Sequence, residues 1–91
     1  MIKEHDRVVL TEDVAQSGLQ AGDVGTVIHI YQYRAGYEVE FFTLAGGTFV
    51  VASVNANQVR AVTSNELTHT RPVAAVPNAA CLQAADNRQS M

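Results

Sequence analysis

The side chains able to do chemistry in this 91-residue chain are few and widely spaced. Three histidines, His5, His29 and His69, stand far apart. No Cys-x-x-Cys or His-Glu-x-x-His spacing accompanies them, so the sequence offers no metal-ligand set. Each reads as a surface or strand-face residue. His29, inside a β-branched run, is the one whose burial would matter, since a partly buried imidazole titrates near neutral pH. The single cysteine, Cys81, cannot form an internal disulfide and has no base near it in sequence. It argues against a catalytic thiol and fits a reducing compartment.

Carboxylates come in two pairs, Glu12 with Asp13 and Glu38 with Glu40. Alternate positions of a strand point to one face, so Glu38 and Glu40 read as a solvated face rather than an acid and base. No nucleophile, base and stabilising donor can be assembled. The chain is therefore expected to be no enzyme, with no catalytic residue, no metal and no cofactor. What remains is binding. Glu12, Asp13, Asp23, Glu38 and Glu40 could together offer an acidic surface to a basic partner protein. Tyr31, Tyr33 and Tyr37 bracket a turn that carries Arg34, and tyrosine is favoured at interfaces.

Charge narrows the partner. The net charge is −3 and the basic residues Lys3, Arg7, Arg34, Arg60, Arg71 and Arg88 are scattered. Nucleic acids and anionic membranes are gripped by clustered cations, so neither is the expected partner. No apolar run approaches the roughly 18 residues of a membrane span, and the N-terminus has no apolar h-region followed by a small-residue cleavage site. A soluble cytoplasmic protein is expected. A chain this short buries only about 60% of its unfolded surface, so its core is thin and a homo-oligomer is a natural remedy.

The elements that must position these groups read as strands. His5 to Thr11 is a first strand, with Val8 and Leu10 on one face and Arg7 and Val9 on the other. Glu12 to Asp23 is rich in turn formers and reads as a long loop anchored by Val14 and Leu19. Val24 to Tyr31 is a β-branched second strand with apolar residues on both faces. After a turn at Gln32 to Gly36, Tyr37, Val39 and Phe41 alternate with Glu38 and Glu40 in a third strand. Leu44 to Gly47 signals a tight turn, its paired glycines Gly46 and Gly47 supplying positive φ. Thr48 to Val54 is a fourth strand, Asn55 to Asn57 a short connection, and Gln58 to Val62 a fifth strand. Five short strands and one long loop describe a small all-β, antiparallel, nearly closed barrel.

The segment Leu19 to Tyr31, LQAGDVGTVIHIY, is the most informative. Gly22 and Gly25 allow a sharp turn or a close approach, and Asp23 between them accepts backbone hydrogen bonds that tighten it. They open a strand rather than a helix, and no Gly-Lys-Ser or Gly-Lys-Thr comes after them, so this is no phosphate loop. Beyond Val62 the chain reads as an accessory extension, residues 63–91, that crosses back along the barrel of residues 1–62. Leu67 is its large anchor. Further on, a short helix is expected from about Asn78 to Ala85, behind Pro77.

In order and spacing, HDRVVLTEDV, GLQAGDVGTVIHIY, YEVEFFTLAGGT and QVRAV resemble a family of small bacterial proteins catalogued as domain of unknown function 4926. The resemblance implies an SH3-like β-barrel and no reaction. The shorter stretch Gly22 to Ile30 is similar to the KOW motif of ribosomal proteins and elongation factors, which implies an SH3-like barrel associated with nucleic acid or the ribosome. The expected function is a protein-interaction module, an antitoxin-like or inhibitor partner of another bacterial protein by analogy of size and charge. The alternative is the KOW-like barrel.

Overall fold

A computed structural model describes residues 1–73 of the chain. Cys81 and the helix expected from Asn78 to Ala85 lie outside the described residues. Within them the chain is all-β. Five strands form: β1 (Arg7–Leu10), β2 (Val24–Ile30), β3 (Gly36–Phe42), β4 (Thr48–Asn55) and β5 (Val59–Ala61). They build one antiparallel sheet in the order β4-β3-β2-β1-β5, with β4 and β5 at its two ends. Single 3₁₀ turns lie at Ala15–Ser17, Gln32–Arg34 and Ala56–Gln58, the last joining β4 to β5.

The expected alternation builds the core. Val8 and Leu10 of β1, Val27 of β2, Tyr37, Val39 and Phe41 of β3, Ala52 and Val54 of β4 and Val59 of β5 pack into one cluster. Leu10, Val8, Val27 and Val39 are the largest side chains fully removed from solvent. Burying each stabilises the fold by about 1.5–3 kcal/mol, so four such residues carry much of a thin core. Val14 and Leu19 join the cluster as the anchors of the long loop. They also bond each other, Val14 N–H to Leu19 O at 3.0 Å and Leu19 N–H to Val14 O at 3.1 Å, so the loop is a small hairpin of its own.

Val9 lies opposite Val8 and Leu10, yet it is only 7% exposed. The segment after β5 passes that face of the sheet and lines one cleft with Val9. In β2 the alternation slips. The pairing with β3 runs Thr26 to Glu40 and Val27 to Val39, then jumps to His29 opposite Glu38, leaving Ile28 as the extra residue of a β-bulge. A bulge reverses the phase of the residues beyond it. Val27 and Ile30 therefore pack inward while Ile28 is 39% exposed. A second bulge lies between Phe41 and Phe42 of β3, where Phe49 is the unpaired residue of β4.

Two glycine expectations need correction. Of the two roles expected for Gly25, the turn is overturned and the close approach is what the structure has: the residue sits buried within β2, opposite Val8 of β1, and its φ is not positive. It is required by packing, because a Cβ there would lie 2.5 Å from Val39 Cγ1 and 2.9 Å from the Phe41 ring. Of the pair Gly46 and Gly47, only Gly46 has positive φ, at 103°. The Gly47 carbonyl instead closes the turn by accepting the Thr43 N–H at 2.8 Å.

Gly25→Val forces a branched side chain against Val39 and Phe41 and should lower stability by about 1–3 kcal/mol or more, the range for overpacked cores. Gly46→Ala, with open space around it, carries only the left-handed backbone penalty of about 1–2 kcal/mol. Urea unfolding monitored by circular dichroism should place the Gly25→Val midpoint below that of Gly46→Ala; the reverse order would refute the packing account.

Candidate functional site

The long loop ends in a turn built on Asp23. Its carboxylate Oδ2 accepts the Gln20 N–H at 2.9 Å, and its own N–H donates to the Gln20 carbonyl at 3.0 Å. The Asp23 carbonyl accepts the Leu10 N–H at 2.9 Å, and Gly22, at φ 95°, donates to the Leu10 carbonyl at 2.8 Å. These bonds tie the turn to the end of β1 and fix the carboxylate in place.

That carboxylate receives Arg71. The guanidinium donates Nε–H to Oδ1 at 2.9 Å and Nη2–H to Oδ2 at 2.5 Å, and Nη2 also donates to the Gly18 carbonyl at 3.2 Å. The two side chains are 28% and 18% exposed, and the fork is bidentate, the geometry in which arginine binds carboxylate best. A second fork holds the start of the same segment. Arg60 of β5 donates to both oxygens of Glu66, at 3.0 and 2.6 Å, and Glu66 also accepts the Thr63 N–H at 2.8 Å. Residues 62–73 are therefore a strap pinned near each end by an arginine and a carboxylate.

Between strap and sheet lies a cleft of about 620 Å³. Its apolar lining comes from Val9 and Val24 on neighbouring strands, Phe42 and Leu44 at the β3–β4 turn, Phe49, and Val62 and Leu67 of the strap. Arg7, Arg60, His69 and Arg71 stand around it, with Asp23 and Glu66 as the acids. Arg7 makes no ion pair among the described residues. No group of three or more His, Cys, Asp or Glu is placed to hold a metal among those residues. No helix there is long and apolar enough to cross a membrane.

Both clamps respond to acid in the same sense. Partial burial pushes the Asp23 carboxyl up, but the Arg71 hydrogen bond, the Gln20 N–H and the Arg71 charge outweigh it and hold the pKa below the ordinary 3.8. The Arg60 hydrogen bond, joined by those of Thr63, brings Glu66 down to about 2. A carboxylate with a lowered folded pKa stabilises the fold above its unfolded value. That stabilisation is lost as pH falls through the folded pKa, here below about pH 4.

The residues singled out from sequence lie elsewhere. Tyr31 is 38% exposed, with its hydroxyl 3.1 Å from Ser53 Oγ and its ring edge-on to His29 at 5.1 Å between centroids. Register places Glu38 between His29 and Ser53, so these four share one patch. His29 is exposed. Tyr33 is 94% exposed, and it and Arg34 are consecutive non-glycine residues at positive φ, 60° and 55°. Arg34 is fastened to the N-terminal segment by donating to the Ile2 carbonyl at 2.6 Å. Tyr37 is a correction. It is 6% exposed and belongs to the core, so it is no part of a binding surface.

Several of the acidic residues are engaged within the chain, and Asp13, like Asp23, acts through its charge on the Arg71 guanidinium. Glu12 accepts from Gln58 at 3.3 Å, Asp13 from the Ala21 N–H at 2.9 Å, and Glu40 from the Thr48 hydroxyl at 2.7 Å. Leu67 is a second correction: at 96% exposed it does not anchor the strap. Arg71 does. Its partner lies 48 positions away, and no spacing rule links the two.

Residues 4–61 match the model of the family described as Domain of unknown function (DUF4926). No curated protein and no solved structure matches the chain. The matched span ends with β5, so the floor of the cleft lies mostly within it and the strap outside it.

Arg71→Met keeps the stem and removes the fork. The strap should detach while the sheet persists, giving faster amide exchange at residues 66–71 and a Tm fall of about 4–8 °C, the equivalent of ~1 kcal/mol in a domain this small. In the unaltered chain, amide shifts of the strap should move between about pH 4 and pH 2 ahead of any change in β2 and β3. Simultaneous change throughout the sheet would show that the strap is inseparable from the core.

Proposed function

The chain belongs to the DUF4926 family, and on that premise we propose that it is a non-enzymatic protein-interaction module whose cleft receives an extended segment of another protein. The observation that carries this reading is the apolar surface left open around one concavity: Val24 is 40% exposed, Phe42 48%, Leu44 79% and Val62 41%. Contiguous exposed apolar surface rimmed by polar groups is the physical mark of a binding site. Arg7 on the rim supplies an uncommitted cation, which favours a segment combining apolar side chains with a carboxylate. An antitoxin-like or inhibitor role toward another bacterial protein is the form such a module would take, and it rests on analogy of size and charge.

A second reading draws on one specific feature. Arg7, Arg60, Arg71 and His69 stand around the same cleft, although they are scattered in sequence. They favour a KOW-like, nucleic-acid-associated barrel. The net charge of −3 and the commitment of Arg60 and Arg71 to carboxylates weigh against it.

Affinity capture from nuclease-treated lysate, eluted with rising salt, separates these readings. The proposal expects one enriched protein that survives moderate salt, is lost with Phe42→Asp and is kept with Tyr33→Ala. Capture lost with Tyr33→Ala but kept with Phe42→Asp would move the interface to the Tyr31 patch and overturn the cleft. RNA or ribosomal proteins lost steeply with salt would favour the second reading.

A further inference from the structure

β4 ends the sheet, and among the described residues the edge it turns away from β3 has no strand beside it. After the bulge at Phe49, six consecutive residues, Val50 to Asn55, pair with β3 without interruption. In an antiparallel ladder, N–H and C=O groups point alternately to the two sides, so part of this backbone faces outward. Among the described residues no backbone–backbone hydrogen bond outside the ladder involves Thr48 to Asn55, and only the Asn55 N–H is taken by a side chain, that of Gln58 at 2.8 Å. Open edges are ordinarily blunted by brevity, charge, proline or a cover. β5, at the other end, is three residues long and carries Arg60. β4 is eight residues, TFVVASVN, with neither charge nor proline.

We propose that β4 pairs antiparallel with β4 of a second copy of this chain, about a two-fold axis, to make one sheet continuous across the dimer. Self-complementarity argues for this occupant. The chain carries a net charge of −3, but β4 is neutral, so a two-fold brings no like charges together along the seam. An axis through Val51 or Ala52 matches residues of equal parity. Ala52 and Val54, which belong to the core, then meet inward-facing residues, and Val51 and Ser53 meet outward-facing ones. Val51, a branched apolar residue 44% exposed, gains cover from the second copy. Phe49 at the start of β4 lines the proposed cleft, but Val51 and Ser53, the positions tested, do not.

Sedimentation velocity of the full chain across a range of concentrations tests this. The expected result is a species of twice the 9.8 kDa chain mass that dissociates on dilution. Val51→Lys and, separately, Ser53→Lys should each weaken the dimer at least tenfold, about 1.4 kcal/mol, while leaving the circular dichroism unchanged. Both positions are exposed, so either variant suffices if the other fails to fold. A chain monomeric at every concentration, or a dimer indifferent to the folded lysine variants, would overturn the proposal. Neither outcome bears on what the cleft binds.

Discussion

Asp23 is where three parts of the chain meet. Its backbone ties the long loop to the end of β1, its carboxylate closes the turn on Gln20, and the same carboxylate takes the Arg71 fork. A carboxylate has enough acceptor sites to do all of this at once, and an amide or hydroxyl would not also supply the charge. The strap owes its course to this anchor. Without it, Val9 would be an apolar residue on the open face of the sheet, and the cleft would have a floor but no far wall.

The inner face of the sheet is tightly filled. Gly25 leaves no room for a single carbon beyond its backbone, because Val39 and Phe41 already occupy the space. Close packing of this kind makes a thin core sufficient, since each gap would forfeit contacts that a small protein cannot replace. The two bulges then decide which remaining apolar residues face outward. The first turns His29 out and brings Ile30 against the core, and the second leaves Phe49 unpaired, partly buried against the core and lining the cleft. The surface available for binding is therefore set by interruptions of the ladder as much as by composition.

Much of the fold was legible because strand alternation is a local signal. Val8 with Leu10, and Tyr37 with Val39 and Phe41, can be assigned to one face from period two alone. That rule already set Tyr37 among the core residues, and reading it as a binding residue gave its hydroxyl more weight than its parity. Val14 and Leu19 were legible as loop anchors because nothing else large and apolar occurs between Glu12 and Asp23. The bulge at Ile28 was not legible, since apolar residues stand on both faces of β2 and the lone His29 beyond Ile28 does not by itself decide which phase is buried. The clamp was hidden for a different reason. Asp23 showed its turn role in its immediate neighbours, but Arg71 lies 48 positions away across the whole sheet, and long-range ion pairs leave no periodic trace.

The candidate site was less legible than the fold, and the cause is the same distance problem. Val9, Phe42 and Val62 belong to separate strands or connections and become one concavity only after β1 has been placed next to β5 and the strap has returned over them. Leu67 illustrates the limit. By hydrophobicity it should pin the strap, yet two ion pairs already fix the segment's path and leave it standing 96% exposed. An apolar side chain held out by polar anchors gains nothing in the isolated chain. The strap is therefore held by its charges, and its largest apolar side chain adds no burial to the fold.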